Sequence, residues 1–193
     1  MGATARRSMR EEIVGAAVDR FQAKGFNAAG VKDITDAAGV PKGSFYNHFA
    51  SKEDLGVVAL ESYGATRRMR ELAETTVPPL QRMRTQFEFL RDEIVDLGFT
   101  HGCMFGNFGT EIADHSEGIR AAVGAGLGQW TTLIAQAVAE AQRDRTVRAS
   151  LDPDTLARFI VNAWEGAVIG ARTDRSTASF DAFFEIVFGT LLG

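Results

Sequence analysis

Apolar residues recur at helical spacing along nearly the whole sequence of 193 residues. In the first segment, Ile13, Ala16, Ala17 and Phe21 fall at positions i, i+3, i+4 and i+8, the stripe of a helix with one buried face. No segment of the sequence shows the strict alternation of polar and apolar residues that is typical of a strand. The pattern therefore predicts an all-α fold of about nine helices.

Glycine and capping residues divide this pattern into separate helices. Gly25 is predicted to end the first helix in a left-handed conformation, and a Gly39–Val40 turn separates two short helices at 31–38 and 42–49. Ser51, followed by Asp54, forms the capping box of a fourth helix that is predicted to reach about Thr75. A fifth helix is predicted to begin at Pro78-Pro79. The last three predicted helices span about residues 116–145, 153–171 and 177–192.

The first three helices have the dimensions of a helix-turn-helix unit, because tight turns join them. Phe45 and Phe49 lie four residues apart in the third helix and are predicted to face inward. Lys52, at the start of the fourth helix, adds a cation that suits a phosphate. The residues left on the outer side of the third helix are rich in groups that suit the major groove: Lys42, Gly43, Ser44, Tyr46, Asn47 and His48. This pattern predicts DNA binding, and a three-helix bundle with a polar face is the alternative.

The charge distribution agrees with DNA binding by the first part of the chain. The whole sequence has a net charge of −4, yet residues 1–52 carry +3 and residues 53–193 carry −7. A basic excess at the front suits contact with phosphates, whereas the acidic remainder limits non-specific binding to DNA. We therefore divide the chain into a DNA-binding domain at 1–52 and a ligand-binding and dimerisation domain at 53–193.

Residues 10–63 resemble the DNA-binding region of the TetR family of repressors. The matching string runs from Ile13-Val through Arg20-Phe, Gly25-Phe and Asp33-Ile to Ala38-Gly-Val-Pro-Lys-Gly-Ser-Phe-Tyr-x-His-Phe-x-Ser-Lys-Glu-Asp-Leu55. The resemblance implies phosphate contacts by Tyr46, His48 and Lys52, and base contacts by Lys42, Ser44 and Asn47. Gly30 departs from the family, which often has a capping Thr or Ser at this position. The resemblance also implies a double-stranded, near-palindromic DNA operator.

The two last predicted helices carry more apolar surface than one subunit needs to bury. Gly166 and Gly170 lie four residues apart on the first of these helices, which would allow another helix to approach closely. A two-fold copy of both helices would complete a four-helix interface. Together with the family resemblance, this predicts a homodimer formed through residues 153–171 and 177–192.

Residues 98–110 are predicted to contribute to the pocket of a small-molecule inducer. This segment has four glycines, three phenylalanines and no charged residue, a composition that favours an uncharged or lipophilic ligand. The candidate ligand-binding residues, each of which could instead be a core residue, are Tyr63, Phe87, Phe99, Cys103, Phe105, Phe108, Trp130 and Trp164.

Cys103, the only cysteine, has two interpretations. Its surroundings resemble a TetR branch in which a cysteine at this place senses electrophiles, the N-ethylmaleimide-responsive repressors. His101 or Arg172, which stands where that branch has a lysine, could stabilise a reactive thiolate. Alternatively, the phenylalanines around Cys103 desolvate the thiol, which then packs as a small apolar group.

Other classes of protein fit the sequence less well. No stretch approaches the roughly 18 uncharged apolar residues of a membrane span, and no apolar stretch of a secretory signal follows the basic N-terminus, so we expect a cytoplasmic protein. His101, Cys103 and His115 lack a fourth ligand for a metal, and we expect no metal and no cofactor. The remaining alternatives are a thiol-dependent enzyme and a TetR-like fold that does not bind DNA.

Overall fold

The computed structural model describes residues 8–148 and 151–193, and within these ranges it contains ten α-helices and no strand. The prediction of an all-α fold is therefore confirmed. The helices are α1 (Met9–Ala28), α2 (Val31–Ala37), α3 (Lys42–Phe45), α4 (Lys52–Ala65), α5 (Met69–Leu72), α6 (Pro79–Asp96), α7 (Met104–Glu111), α8 (Glu117–Arg143), α9 (Pro153–Asp174) and α10 (Ala178–Ile186), with a π-helical turn at Val187–Leu191.

The regular part of helix α1 ends at Gly25, and after a kink one more helical turn reaches Ala28. Gly25 has φ +79° and ψ 171°, which are not helical values, and this ψ also differs from that of a left-handed helical cap. At the other end, Ser8 and Glu11 cap the helix reciprocally, since the Ser8 hydroxyl accepts from the Glu11 N–H and the Glu11 carboxylate accepts from the Ser8 N–H. The predicted end of the first helix at Gly25 is thus confirmed, with a positive φ, while the predicted left-handed helical cap is wrong because ψ is 171°.

Helix α4 begins where the sequence predicts and ends earlier. The Ser51 hydroxyl accepts from the Asp54 N–H at 3.0 Å, which confirms the Ser51 half of the predicted capping box. The predicted continuation to Thr75 is wrong, because α4 ends at Ala65 and a separate short helix, α5, follows. Arg68, between the two helices, has φ +57°, a left-handed conformation that a continuous α-helix does not allow.

The buried residues form two hydrophobic clusters. The first joins α1–α4 to α7 and the start of α8, and Phe21, Phe26 and Phe108 lie at its centre with ring centroids 5.2–5.4 Å apart. The second joins α6, α8, α9 and α10 around Phe87, whose ring lies 5.1 Å from that of Trp164. Helix α7 packs against α1, α4 and α8, so it connects the helix-turn-helix unit with the rest of the chain.

A buried glutamine ties the second cluster to the end of α4. The Gln86 side chain on α6 donates to the Arg67 carbonyl at 3.1 Å and accepts from the Trp130 indole N–H at 2.9 Å. The Arg67 guanidinium in turn pairs with Glu93 on α6, at 3.0 Å for one of the two contacts. This network fixes the link between α4 and α5 against α6 and α8.

Within residues 8–148 and 151–193, no helix is both long and apolar enough to cross a membrane. In the same ranges no group of three or more histidine, cysteine, aspartate or glutamate residues could hold a metal ion.

Candidate DNA-binding surface and effector site

The helix-turn-helix unit holds α3 by its buried inner face. Phe45 and Phe49 are buried with ring centroids 5.6 Å apart, and Ile34 on α2 is also completely buried. Gly39, with φ +68°, makes the turn between α2 and α3. Gly30 precedes α2 in an extended conformation and has no side chain with which to cap that helix. The apolar residues thus orient α3 and leave its other side open.

The outer side of α3 and the turn after it form what we call the reading surface, and the structure brings together here all six residues that the sequence assigns to it. Tyr46 is 62 % exposed, with its ring edge-on to Phe45 at 5.1 Å. Ser44 is half-buried, and its hydroxyl donates to the Pro41 carbonyl. The reading surface consists of Lys42, Gly43, Ser44, Tyr46, Asn47 and His48. Its exposed donors and acceptors can meet base edges and phosphates.

Lys52 has a structural contact in addition to its predicted phosphate contact. Its ammonium donates to the carbonyls of Phe26 at 3.0 Å and Ala29 at 3.5 Å, and lies 4.2 Å from the centroid of the Phe26 ring. The side chain therefore ties the start of α4 to the end of α1. Sequence reasoning missed this tie because Phe26 and Lys52 are 26 residues apart.

The eight predicted ligand-binding residues do not surround a single cavity. Tyr63, Phe105 and Phe108 are buried in the first cluster, and Cys103 packs against it. Phe87, Trp130 and Trp164 are buried in the second cluster, and Phe99 packs against that one. Their spacing along the sequence indicated burial, but it carried no information on which of the two clusters each ring would join.

A cleft of about 680 Å³ lies between α4, α5, α7 and α8, and Phe105 is the predicted ligand-binding residue that lines it. We call it the α4–α8 cleft. The Arg68 guanidinium and the Glu71 carboxylate pair within it at 2.6 Å, so their charges balance. The cleft is also lined by Leu60, Gly64, Ala122, Gly126 and Gln129. The cleft can therefore hold a small molecule between apolar helix surfaces and a polar rim.

Cys103 precedes α7 and lies beside the Glu165 carboxyl on α9. Burial raises the pKa of Glu165 to about 7, and burial, followed by the charge of Glu165, raises the pKa of the Cys103 thiol well above its ordinary value. The Glu165 Oε1 atom is buried without a hydrogen-bond partner among the described residues. The Arg172 guanidinium donates instead to the Asn107 side chain at 3.2 Å. Burial and the charge of Glu165 thus favour the thiol of Cys103 over its thiolate.

Glu111, at the end of α7, holds the kinked end of α1. Its carboxylate accepts from the Asn27 backbone N–H at 3.1 Å, and its carbonyl accepts from the Asn27 side-chain amide at 3.3 Å. A Cβ atom on Gly25 would lie 2.6 Å from Oε2 of Glu111, so only glycine allows this approach. We call this contact the α1–α7 clasp. Sequence analysis found no signal for it, because the partners are 84 residues apart.

Comparison with known proteins gave two family matches that together cover most of the chain. Residues 13–56 match the family described as bacterial regulatory proteins, tetR family, and residues 79–187 match the tetracyclin repressor-like C-terminal domain. The HTH-type transcriptional repressor DhaR of Mycobacterium sp. (strain GP1) is 33% identical over 191 residues, which cover 97% of this chain and 94% of DhaR. The HTH-type transcriptional repressor NemR of Escherichia coli (strain K12) is 28% identical over 170 residues, 86% of this chain and 85% of NemR.

Solved structures of similar fold cover almost the entire chain. The regulatory protein TetR from Rhodobacter sphaeroides superimposes with a TM-score of 0.87 at 32% identity and covers 96% of this chain and 99% of that one. The reduced form of Escherichia coli NemR superimposes with a TM-score of 0.84 at 25% identity, over 96% of this chain and 98% of NemR.

Proposed function

The chain belongs to the TetR family of bacterial regulatory proteins, and from this premise we propose that it is a repressor that binds a near-palindromic operator as a homodimer and leaves it when a small lipophilic inducer binds. Members of this family are transcriptional regulators and not enzymes, so the alternative of a thiol-dependent enzyme is dropped. Because the target is chromosomal DNA, we assign the protein to the cytoplasm.

The observation that carries this proposal is the exposed reading surface, which is held in place by two buried phenylalanine side chains. Phe45 and Phe49 fix the orientation of α3, and Lys42, Asn47 and His48 are exposed opposite them. An amide side chain can pair with adenine through two hydrogen bonds, and lysine can contact guanine or a phosphate. A TetR-like fold that had lost DNA binding would have no reason to keep these groups exposed together.

Replacing Asn47 with alanine is expected to relax the choice of base at one position of each half-site by about 1–3 kcal/mol, because a direct base contact is lost. Lys52→Ala is the matched variant, and it should weaken binding to all sequences alike and reduce the salt slope by about one unit. Fluorescence anisotropy with the operator and its single-base variants, at several salt concentrations, measures both effects.

Either variant can contradict its assigned role. If Asn47→Ala binds all operator variants with the preference of the wild type, then Asn47 reads no base. If Lys52→Ala leaves the salt slope unchanged, its ammonium acts through the Phe26 and Ala29 carbonyls alone and makes no phosphate contact.

The proposed dimer uses an apolar groove between α9 and α10. The groove has a volume of about 370 Å³, and Phe159, Gly166 and Ile186 lie on it. Phe159 is 52 % exposed, Ile186 is 49 % exposed, and Ile169 on α9 is 62 % exposed. Large apolar side chains grouped in this way are typical of an interface between subunits. A two-fold copy of the same groove would cover them.

The two glycines of α9 face different neighbours. A Cβ atom on Gly166 would meet no described atom within 4 Å, so this glycine faces the open groove. A Cβ atom on Gly170 would lie 3.1 Å from Cβ of Ser179, which shows that Gly170 packs against α10 of its own subunit. The interpretation that both glycines admit a helix of the partner is therefore corrected, and in our proposal only Gly166 has that role.

Gly166→Glu is expected to give a folded monomer, because the added carboxylate would be buried at the subunit interface. Gly128→Glu is the control, since Gly128 is exposed on α8 and has no described atom near its Cβ position. Light scattering at micromolar concentration should show half the mass for Gly166→Glu and an unchanged mass for the control. A wild-type monomer, or a dimeric Gly166→Glu variant, would contradict the proposed interface.

The proposed inducer binds without reacting covalently. The raised pKa of Cys103 keeps it as a thiol, which attacks electrophiles slowly. The α4–α8 cleft offers a volume suited to a small ligand, and α7 extends from this cleft to the α1–α7 clasp. A ligand can release the operator only by favouring another arrangement of the two reading surfaces. Helix α4, which lines the cleft and carries Lys52, and helix α7 are the two elements that can transmit this change.

A further inference from the structure

The ring of Phe105 fills a narrow slot between two helices. On the α8 side, a Cβ atom on Gly126 would lie 2.6 Å from Cζ of Phe105, closer than any side chain permits. On the α4 side, a Cβ atom on Gly64 would lie 3.3 Å from the same Cζ atom. The tip of the Phe105 ring therefore fills the slot between Gly64 and Gly126, and both glycines also line the α4–α8 cleft.

We propose that the slot between Gly64 and Gly126 is the binding site of the inducer, that the inducer is a small uncharged molecule with a planar aromatic ring, and that Phe105 occupies the site in its absence. This inference rests on the proposed function of an inducer-responsive repressor. The ring of the inducer takes the place of the Phe105 ring, which has to leave.

The surroundings of the slot select this class of ligand. A ligand group that replaces the Phe105 ring has to fit the space of a planar ring between two glycines, so a bulkier saturated ring matches this space less well. The Tyr63 ring lies edge-on to the Phe105 ring at 5.7 Å, and Leu60 and Ala122 add apolar surface. In the adjoining cleft the charges of Glu61, Arg68, Arg70 and Glu71 sum to zero, and Arg68 pairs with Glu71. An uncharged planar ring therefore matches the site better than an ion does.

Displacement of Phe105 would act on the helix-turn-helix unit through α7. Phe105 lies in the first turn of α7, and Phe108, on the next turn, packs edge-on against Phe21 of α1 at 5.2 Å. Glu111, at the end of the same helix, forms the α1–α7 clasp with Asn27. Because α7 has only eight residues, a shift at Phe105 would also change the contacts of Phe108 and Glu111 with α1.

The test uses benzyl alcohol as the probe and cyclohexylmethanol as the matched non-planar alcohol, with binding measured by calorimetry on the full chain without DNA. In Phe105→Ala the slot is vacant, and benzyl alcohol should bind about tenfold more tightly than to the wild type, whereas cyclohexylmethanol should gain much less. In the Phe105→Ala background, the added substitution Gly126→Ala should abolish binding of benzyl alcohol because its methyl group enters the vacant slot, and Gly128→Ala in the same background is the control on the open side of α8.

Hydrogen exchange of the Asn27 amide distinguishes a site that exists in the wild type from a cavity that Phe105→Ala creates. In the wild type, saturating benzyl alcohol should loosen the α1–α7 clasp and speed hydrogen exchange of the Asn27 amide by about tenfold. In Phe105→Ala, where no ring remains to be displaced, adding the probe should leave this rate unchanged. Phe105→Leu, which keeps most of the buried volume, repeats the binding test if the alanine variant unfolds.

Several results would overturn the inference. The first is an equal gain in affinity for both alcohols in Phe105→Ala. The second is undiminished binding when Gly126→Ala is added to Phe105→Ala, and the third is an Asn27 exchange rate in the wild type that does not respond to benzyl alcohol. Since these measurements contain no DNA, they fail independently of the proposed operator binding. A protein that passes them and ignores every operator would refute the proposed function and leave the slot as a binding site.

Discussion

Replacement of Glu165 by glutamine is expected to stabilise the protein by about 3 kcal/mol near pH 8 and to have little effect near pH 4. Glu165 is a buried carboxyl whose pKa is raised from its ordinary value of 4.5 to about 7. Glutamine has nearly the same shape and never ionises, so it removes the cost of a buried charge.

The direction of this effect follows from proton linkage. Between pH 4.5 and about 7 the folded protein keeps the Glu165 proton while the unfolded chain has lost it. The folded state therefore binds more protons, and the free energy of unfolding falls as the pH rises through this interval. The penalty is absent below pH 4.5 and complete above about pH 7.

Urea unfolding at a fixed protein concentration, repeated between about pH 4 and pH 8, measures the effect. Glu185→Gln, at an exposed position on α10, is the control and should follow the wild type at every pH. If Glu165→Gln follows the wild type as well, then Glu165 ionises in the folded protein without cost, and the raised pKa is refuted.

Gly25→Ala is expected to destabilise the protein by about 3–4 kcal/mol. A side chain at the φ of +79° is strained, and the added methyl group would displace the Glu111 carboxylate from the α1–α7 clasp. The Asn27 N–H would then lose its acceptor. The loss should appear both in the free energy of unfolding and as faster hydrogen exchange at Asn27.

Gly39→Ala separates backbone strain from the loss of the clasp. Gly39 also has a positive φ, of +68°, but its Cβ position has no described atom within 4 Å. This variant should cost only about 1–2 kcal/mol. Combining Gly25→Ala with Glu111→Ala should recover about 1 kcal/mol relative to the sum of the single effects, because the clasp can be lost only once. Strict additivity would show that Gly25 and Glu111 do not interact.

The sequence by itself determined the features that depend on neighbouring residues. Ser51 and Asp54 are three residues apart, and their hydrogen bond caps α4 as predicted. Phe45, the last residue of α3, and Phe49, beyond the turn after it, are both buried, which places the polar residues between them on the outside although the helix is shorter than predicted. Helical spacing and capping are local properties of the chain, so the all-α fold and the reading surface could be predicted from them.

Only the tertiary structure decided which distant residues meet. Local spacing marked Phe87 and Phe105 alike as buried, but packing sent them to separate clusters, and sequence analysis joined them in one pocket. Gly166 and Gly170 look equivalent on one helix, yet Ser179 of α10 covers only the second. The α1–α7 clasp joins residues 84 positions apart. The helical period of apolar residues predicts which face of a helix is buried. It does not predict which helix covers that face, because this depends on how all the helices pack together.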